Sequence, residues 1–280
     1  MIRAERSALS TYASGLLARG RGVFSADEAQ KEIGISRGAF LDAAERLQRR
    51  GQLIRPRRGF YVVVPPQHST TGAPPPEWYI DALMRHEKRP YYVGLLVAAA
   101  AHGASHQAVM EFQVVTDKLL PDIEAGRTRI VFSYRKDMAA VSPGIEDRKT
   151  QSGYMKLSSP ELTALDLVRY PQSGAGLDNI ATVLSELAER LQPEKLASLS
   201  GAFEKAVVQR LGHLLGRLGH PLIVKAMFTA LSSNVSGSTS RRLRWRFPEP
   251  KRSSACSKNS PIRPSSPTCA RCFRQIAPGR

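Results

Sequence analysis

Residues 46–65 read RLQRRGQLIRPRRGFYVVVP, a run that looks helical as far as Arg50, halts at a glycine and resumes as β-forming sequence. Gly51 supplies the stop, Leu53-Ile54 begins a strand, Pro56 to Gly59 makes a turn and Phe60 to Val64 returns. Pro65-Pro66 closes the return strand, because proline has no amide hydrogen for a ladder. A helix that passes directly into a hairpin is the second half of a winged helix-turn-helix, provided another helix precedes it. Ser25-Ala26-Asp27-Glu28 has the spacing of a capping box, in which the serine hydroxyl and the glutamate satisfy each other's backbone amides. It opens a helix that runs to about Ile33. Gly34 can take the left-handed conformation that ends it, and Ser36 can cap the next helix. Helix, glycine-containing turn and second helix complete the helix-turn-helix pattern.

In that second helix Phe40, Ala44 and Leu47 recur as one apolar stripe, so the opposite face carries Gly38, Asp42, Glu45, Arg46 and Arg49. Arg37 sits in the first turn, where a recognition helix meets base edges. The hairpin turn holds Arg57 and Arg58, with Arg55 just before, so cations stand where a wing would meet phosphates. Asp42 and Glu45 count against simple readout, since carboxylates repel phosphate. Basic clusters are also common on solvated faces, and winged helices serve as protein-binding adaptors too. DNA binding and a protein-contact role both stay open on these residues alone.

The chain has 280 residues, 42% of them hydrophobic, and a net charge of +17. That charge is uneven. Residues 1–68 hold 12 Lys+Arg against 6 Asp+Glu, residues 69–222 hold 17 against 17, and residues 223–280 hold 12 against 1. A neutral globular middle therefore lies between two basic ends, and the net charge points to a polyanionic partner or an anionic membrane surface. No stretch approaches the roughly 20 apolar residues of a membrane span; the longest candidate, Val93 to Ala101, reads as a buried helix. No apolar signal-peptide core opens the chain, and a cytoplasmic protein with no membrane contact is expected. Beyond Leu231 the sequence becomes rich in Ser, Pro and Arg without periodicity. Such a segment is expected to be a disordered basic tail or the product of a shifted reading frame. All three cysteines, Cys256, Cys269 and Cys272, fall in it, so neither a disulfide framework nor a four-ligand zinc site is expected.

The expected fold class is α+β. Residues 1–68 form the winged helix-turn-helix, and 69–76 (STTGAPPP) a linker. Residues 77–222 form a mixed α/β domain ending in a helical bundle, and 223–280 the tail. In the third segment Glu77–His86 reads as a short helix. Glu111–Thr116, Arg129–Ser133 and Tyr154–Leu157 read as strands, with Gly126 in a turn. Ser158 and Glu161 match a second capping box around Pro160, and helices are expected over Asp178–Leu191 and Phe203–Leu218. The stripe Phe203, Val207, Leu211, Leu214 and Leu218 reads as core rather than as a dimer seam. Three weak catalytic patterns occur. His102 and His106 are four apart but lack the glutamate of a metalloprotease motif. Asp117, Asp122 and Glu124 have no recognisable metal-ligand spacing, and Glu111-Phe112-Gln113 lacks the lysine of a nuclease site. No enzymatic activity, cofactor or metal is expected, with a nuclease-like enzyme the remote alternative.

Gly34 to Pro66 resembles the N-terminal winged domain of AbiE-type antitoxins, the transcription-regulating antitoxins of type IV abortive-infection toxin–antitoxin systems. PPPEWYIDALMRH (Pro74 to His86), PYYVGLLVAAAAHGASHQ (Pro90 to Gln107), EFQVVTDK (Glu111 to Lys118) and Ser158 to Glu189 resemble the domain that follows it. The resemblance covers roughly Met1 to His220, in several blocks in order. It implies that the winged domain binds inverted repeats in its own promoter as a repressor, with cooperative self-association of two or more copies. It implies that the second domain neutralises a nucleotidyltransferase-like toxin without a stable toxin–antitoxin complex. It places the DNA-contacting positions at Ser36, Arg37, Arg49, Arg55, Arg57 and Arg58, and it assigns no individual antitoxicity residue.

Overall fold

Every residue of the apolar run at 60–64 is buried, and the reason organises the whole molecule. A computed structural model describes residues 2–104 and 111–233, with side-chain surroundings over 8–104 and 111–229. In it, helix α1 (Ile2–Ala18), strand β1 (Val23–Ser25), α2 (Ala26–Ile33), α3 (Arg37–Arg49), β2 (Leu53–Arg57) and β3 (Phe60–Val63) make the winged part. Its antiparallel sheet has the order β1-β3-β2, with β3 in the centre. Successive side chains of a strand point to opposite faces. Tyr61 and Val63 accordingly enter the core beneath α1, α2 and α3 with Leu9, Phe24, Phe40 and Leu47. Phe60 and Val62 enter a different core, with Ile80, Leu83, Val114 and Ile130 of the following domain. A strand buried on both faces needs no polar alternation.

The second domain is built on a six-stranded mixed sheet of order β6-β7-β5-β4-β9-β8. The strands are β4 (Tyr91–Val93), β5 (Glu111–Thr116), β6 (Ile123–Ala125), β7 (Thr128–Tyr134), β8 (Ile145–Thr150) and β9 (Gly153–Ser158). β5 pairs with β7, and β4 with β9, in parallel; the remaining neighbours are antiparallel. One face carries α4 (Ile80–His86) and the wing. The other carries α6 (Pro160–Arg169), α7 (Leu177–Leu187), α8 (Pro193–Ser200), α9 (Lys205–Arg217) and α10 (Pro221–Ser233). Between the two cores runs α5 (Leu95–Ala101), which gives Ala98 to one and Ala99 to the other. The α+β class, the N-terminal winged helix and the helical end are therefore as expected. No helix among the described residues is long and apolar enough to cross a membrane.

Several local expectations change. Ser159, not Ser158, caps α6, its hydroxyl accepting from Leu162 N at 3.3 Å, because Pro160 occupies the first helical position. Ser158 instead shares a hydrogen bond of 2.7 Å with the Thr163 hydroxyl. The boundary expected after 222 falls inside α10, where Val224 and Met227 are buried in the helical core. Residues 234–280, including the three cysteines, lie outside the described residues, as do His106 and its neighbours at 105–110.

The segment 69–76 is docked rather than free. Thr71 O accepts from Arg127 N at 3.1 Å, against the β6–β7 turn. That turn needs Gly126 (φ 59°), where an added Cβ would overlap the Thr71 carbonyl and lie 2.8 Å from Ala73 N. Gly126→Ala should destabilise the protein by about 1–3 kcal/mol, measured by urea unfolding. An unchanged midpoint would mean that this contact is not held in solution.

Candidate nucleic-acid interface

The helix-turn-helix is held by its caps. Ser25 Oγ accepts from Glu28 N at 3.1 Å and the Glu28 carboxylate accepts from Ser25 N at 3.4 Å. Gly34 (φ 71°) then ends α2 in the left-handed conformation, and Ser36 Oγ accepts from Ala39 N at 3.3 Å to start α3. Phe40, Ala43, Ala44 and Leu47 face inward. Arg37, Gly38, Leu41, Asp42, Glu45 and Arg49 are exposed, as a helix of 3.6 residues per turn requires. Glu45 and Arg49 form a 2.6 Å pair one turn apart. At this exposure such a pair contributes only about 0–1 kcal/mol, so a phosphate can compete for Arg49.

The three arginines of the hairpin part company. Arg55 and Arg58 are exposed. Arg57 turns inward: it donates to the Pro121 carbonyl, sits 3.6 Å from Glu87, and lies 5.4 Å from the Phe132 ring centre. Burial lowers its pKa from the ordinary arginine value, opposed by Glu87 and Asp122. The cause is a register shift between Ile54 and Arg57, one extra residue in β2 that includes Pro56. It pairs Arg57 with Phe60, so both project to the side that faces the second domain. A proline inside a basic strand was the available signal for that bulge. Of the six expected DNA-contacting positions, Ser36, Arg37, Arg49, Arg55 and Arg58 are each exposed. Arg57 is not.

Most of the described residues of the weak catalytic patterns have other partners. His102 is buried with Nε2 2.7 Å from Ser158 O. Asp122 and Glu111 both pair with Arg129, and Asp117 pairs with Arg89. Gln113 accepts from Leu96 N at 2.8 Å and donates to Ser173 O at 2.7 Å, tying the start of α5 to the loop after α6. Among the described residues no three His, Cys, Asp or Glu side chains gather as metal ligands. One cluster went unread in the sequence. Asp166 and Arg135, both buried, join at 3.0 Å, and the Tyr92 hydroxyl donates to Asp166 at 2.6 Å. Beside it opens a cavity of about 440 Å³ lined by Arg135, Lys136, Asp137, Arg169, Phe203 and Glu204. Arg135 is matched by Asp166, and Arg169 by Glu204 at 2.8 Å, so little net charge is left there to hold a ligand.

Two family descriptions match the chain in the order of its two parts. Residues 16–64 match a transcriptional regulator described as AbiEi antitoxin, and residues 92–217 match the AbiEi antitoxin C-terminal domain. Together they span well over half of the sequence. No curated protein matches. Among solved structures, the RV2827C protein from Mycobacterium tuberculosis is similar in fold, with a TM-score of 0.58 and 19% identity. The match covers 79% of this chain and 80% of that one.

Proposed function

The chain belongs to the AbiE-type antitoxins, a family of transcriptional regulators, and we propose that it binds inverted repeats in its own promoter and represses it. On this reading α3 enters the major groove. Arg37 meets base edges from the first turn, while Ser36, Arg49, Arg55 and Arg58 meet the flanking backbone. Two or more copies associate cooperatively on the repeats. The second domain counters a nucleotidyltransferase-like toxin without a stable complex. The observation that carries the reading is the exposed outer face of α3 followed directly by a hairpin whose Arg55 and Arg58 are exposed.

The test is affinity for upstream promoter duplex. Arg37→Glu and Arg58→Glu should each weaken binding about 10- to 100-fold, whereas Arg57→Gln should leave it within a few-fold and lower stability instead. With Arg49, Arg55 and Arg58 each neutralising a phosphate, these three should contribute a slope of about −3 to the fall of log affinity against log salt. Wild type that ignores promoter DNA would favour a protein-contact adaptor. Co-expression with the neighbouring toxin gene tests the other half: Arg37→Glu should still rescue growth while failing to repress.

A further inference from the structure

The wing tip does not end in open solvent; it abuts the last turn of α4 and the start of the loop to β4, where the sequence runs Arg85-His86-Glu87-Lys88-Arg89. His86 Nε2 lies 3.1 Å from the Arg58 carbonyl oxygen, and its ring centre is 5.4 Å from that of Phe60. A Cβ added to Gly59 would sit 3.7 Å from the same imidazole. Glu87 holds Arg57 from the next position along. Consecutive α-carbons are only about 3.8 Å apart, so Lys88 follows directly on two residues that touch the wing.

The charges around this junction are sorted. Each carboxylate is taken: Glu87 by Arg57, Asp81 by Arg85 and Asp117 by Arg89 at 3.6 Å. Among the described residues, Arg58 on the wing and Lys88 on the loop are exposed and have no ion-pair partner. Lys88 also has a left-handed backbone (φ 55°), unusual for a residue with a side chain. Backbone bonds from Lys88 N to Arg85 O and from Arg89 N to Met84 O, both 3.1 Å, close the loop around it. Unpaired positive charge, a fixed loop and continuity with the wing fit one partner, a phosphodiester backbone.

We propose that the α4–β4 loop is a second rim of the DNA surface, with Lys88 contacting a backbone phosphate beyond the one met by Arg58. This rests on the promoter-binding reading above and widens it: the second domain takes part in holding the duplex. The contact is to phosphate, so it adds affinity and not sequence preference.

The experiment uses the full chain and Lys88→Asn, because asparagine tolerates the left-handed backbone while removing the charge; Lys88→Gly serves if that variant folds poorly. Binding to promoter duplex is followed by fluorescence anisotropy across a salt series. The expected result is a slope shallower by about 0.9, weaker binding at low salt, an unchanged ratio of promoter to scrambled duplex, and an unchanged Tm. Hydroxyl-radical footprinting should lose one protected backbone patch outside that of Arg58. Slope and footprint equal to wild type, while Arg58→Ala changes both, overturn the loop contact and leave promoter binding standing. Wild type that binds no duplex overturns both together.

Discussion

Asp166→Ala is expected to destabilise the protein by about 3–5 kcal/mol, the usual cost of removing one partner from a buried ion pair. Asp166 has no exposed surface and Arg135 has 2%. The guanidinium donates to Asp166 at 3.0 Å and to Ala202 O at 3.4 Å, and it lies 4.2 Å from the Phe203 ring centre. Arginine keeps its charge in proteins, so alanine at 166 strands a cation away from water. At 2–4 °C per kcal/mol, Tm should fall by on the order of 10 °C. Replacing both residues by leucine should recover most of the loss, because the pair's own desolvation cost goes with it. A single variant within about 1 kcal/mol of wild type would mean the pair is not buried as described.

The same carboxyl predicts a pH dependence. Burial raises its pKa from 3.8 to about 6, against the opposing pull of Arg135 and the Tyr92 hydroxyl. The folded value lies above the unfolded one, so folding takes up a proton between them. The contribution of Asp166 is therefore most favourable below about pH 4, is lost as pH rises to about 6, and is level above that. Subtracting the stability curve of Asp166→Asn from that of wild type should show this downward slope. A difference rising over that window would contradict it.

Phe40→Ala should cost a similar amount, about 3–5 kcal/mol, and with it promoter binding at physiological temperature. Phe40 meets Tyr61 edge-on (centroids 5.3 Å apart), Tyr61 stacks on Phe24 at 5.6 Å, and Phe24 meets Tyr12 edge-on at 5.5 Å. These four rings join α1, β1, β3 and α3, and Phe40 is what seats α3. Phe40→Leu keeps the site apolar and largely filled, so it should lose less than about 1.5 kcal/mol. Urea unfolding monitored by circular dichroism separates the two variants. Equal stability would show that α3 is anchored elsewhere.

The helix-turn-helix was legible because its signals are local. Ser25 with Glu28, Gly34 and Ser36 each act within four residues, and the structure uses each at the position expected. β5 was legible because EFQVVT is a compact β-forming run. The short strands β1, β4 and β6 carry three residues each, too few to show a period, and exist because neighbours pair with them. β8 (IEDRKT) reads as loop because it is an exposed edge strand, charged as such edges commonly are. The inward turn of Arg57 depends on a bulge and on a partner surface made by Glu87, Pro121 and Phe132, beyond the reach of local pattern. Burial on both faces was the one long-range fact written locally: Phe60 to Val64 has no polar residue.

That strand deals its side chains alternately to two interiors, which makes the hairpin intolerant of changes in length. An insertion or deletion of one residue at the tip would exchange the two sets, sending the phenol of Tyr61 toward α4 and Phe60 toward α3. Under the proposed roles of the two domains, a single small lesion there would strike gene control and toxin protection at once.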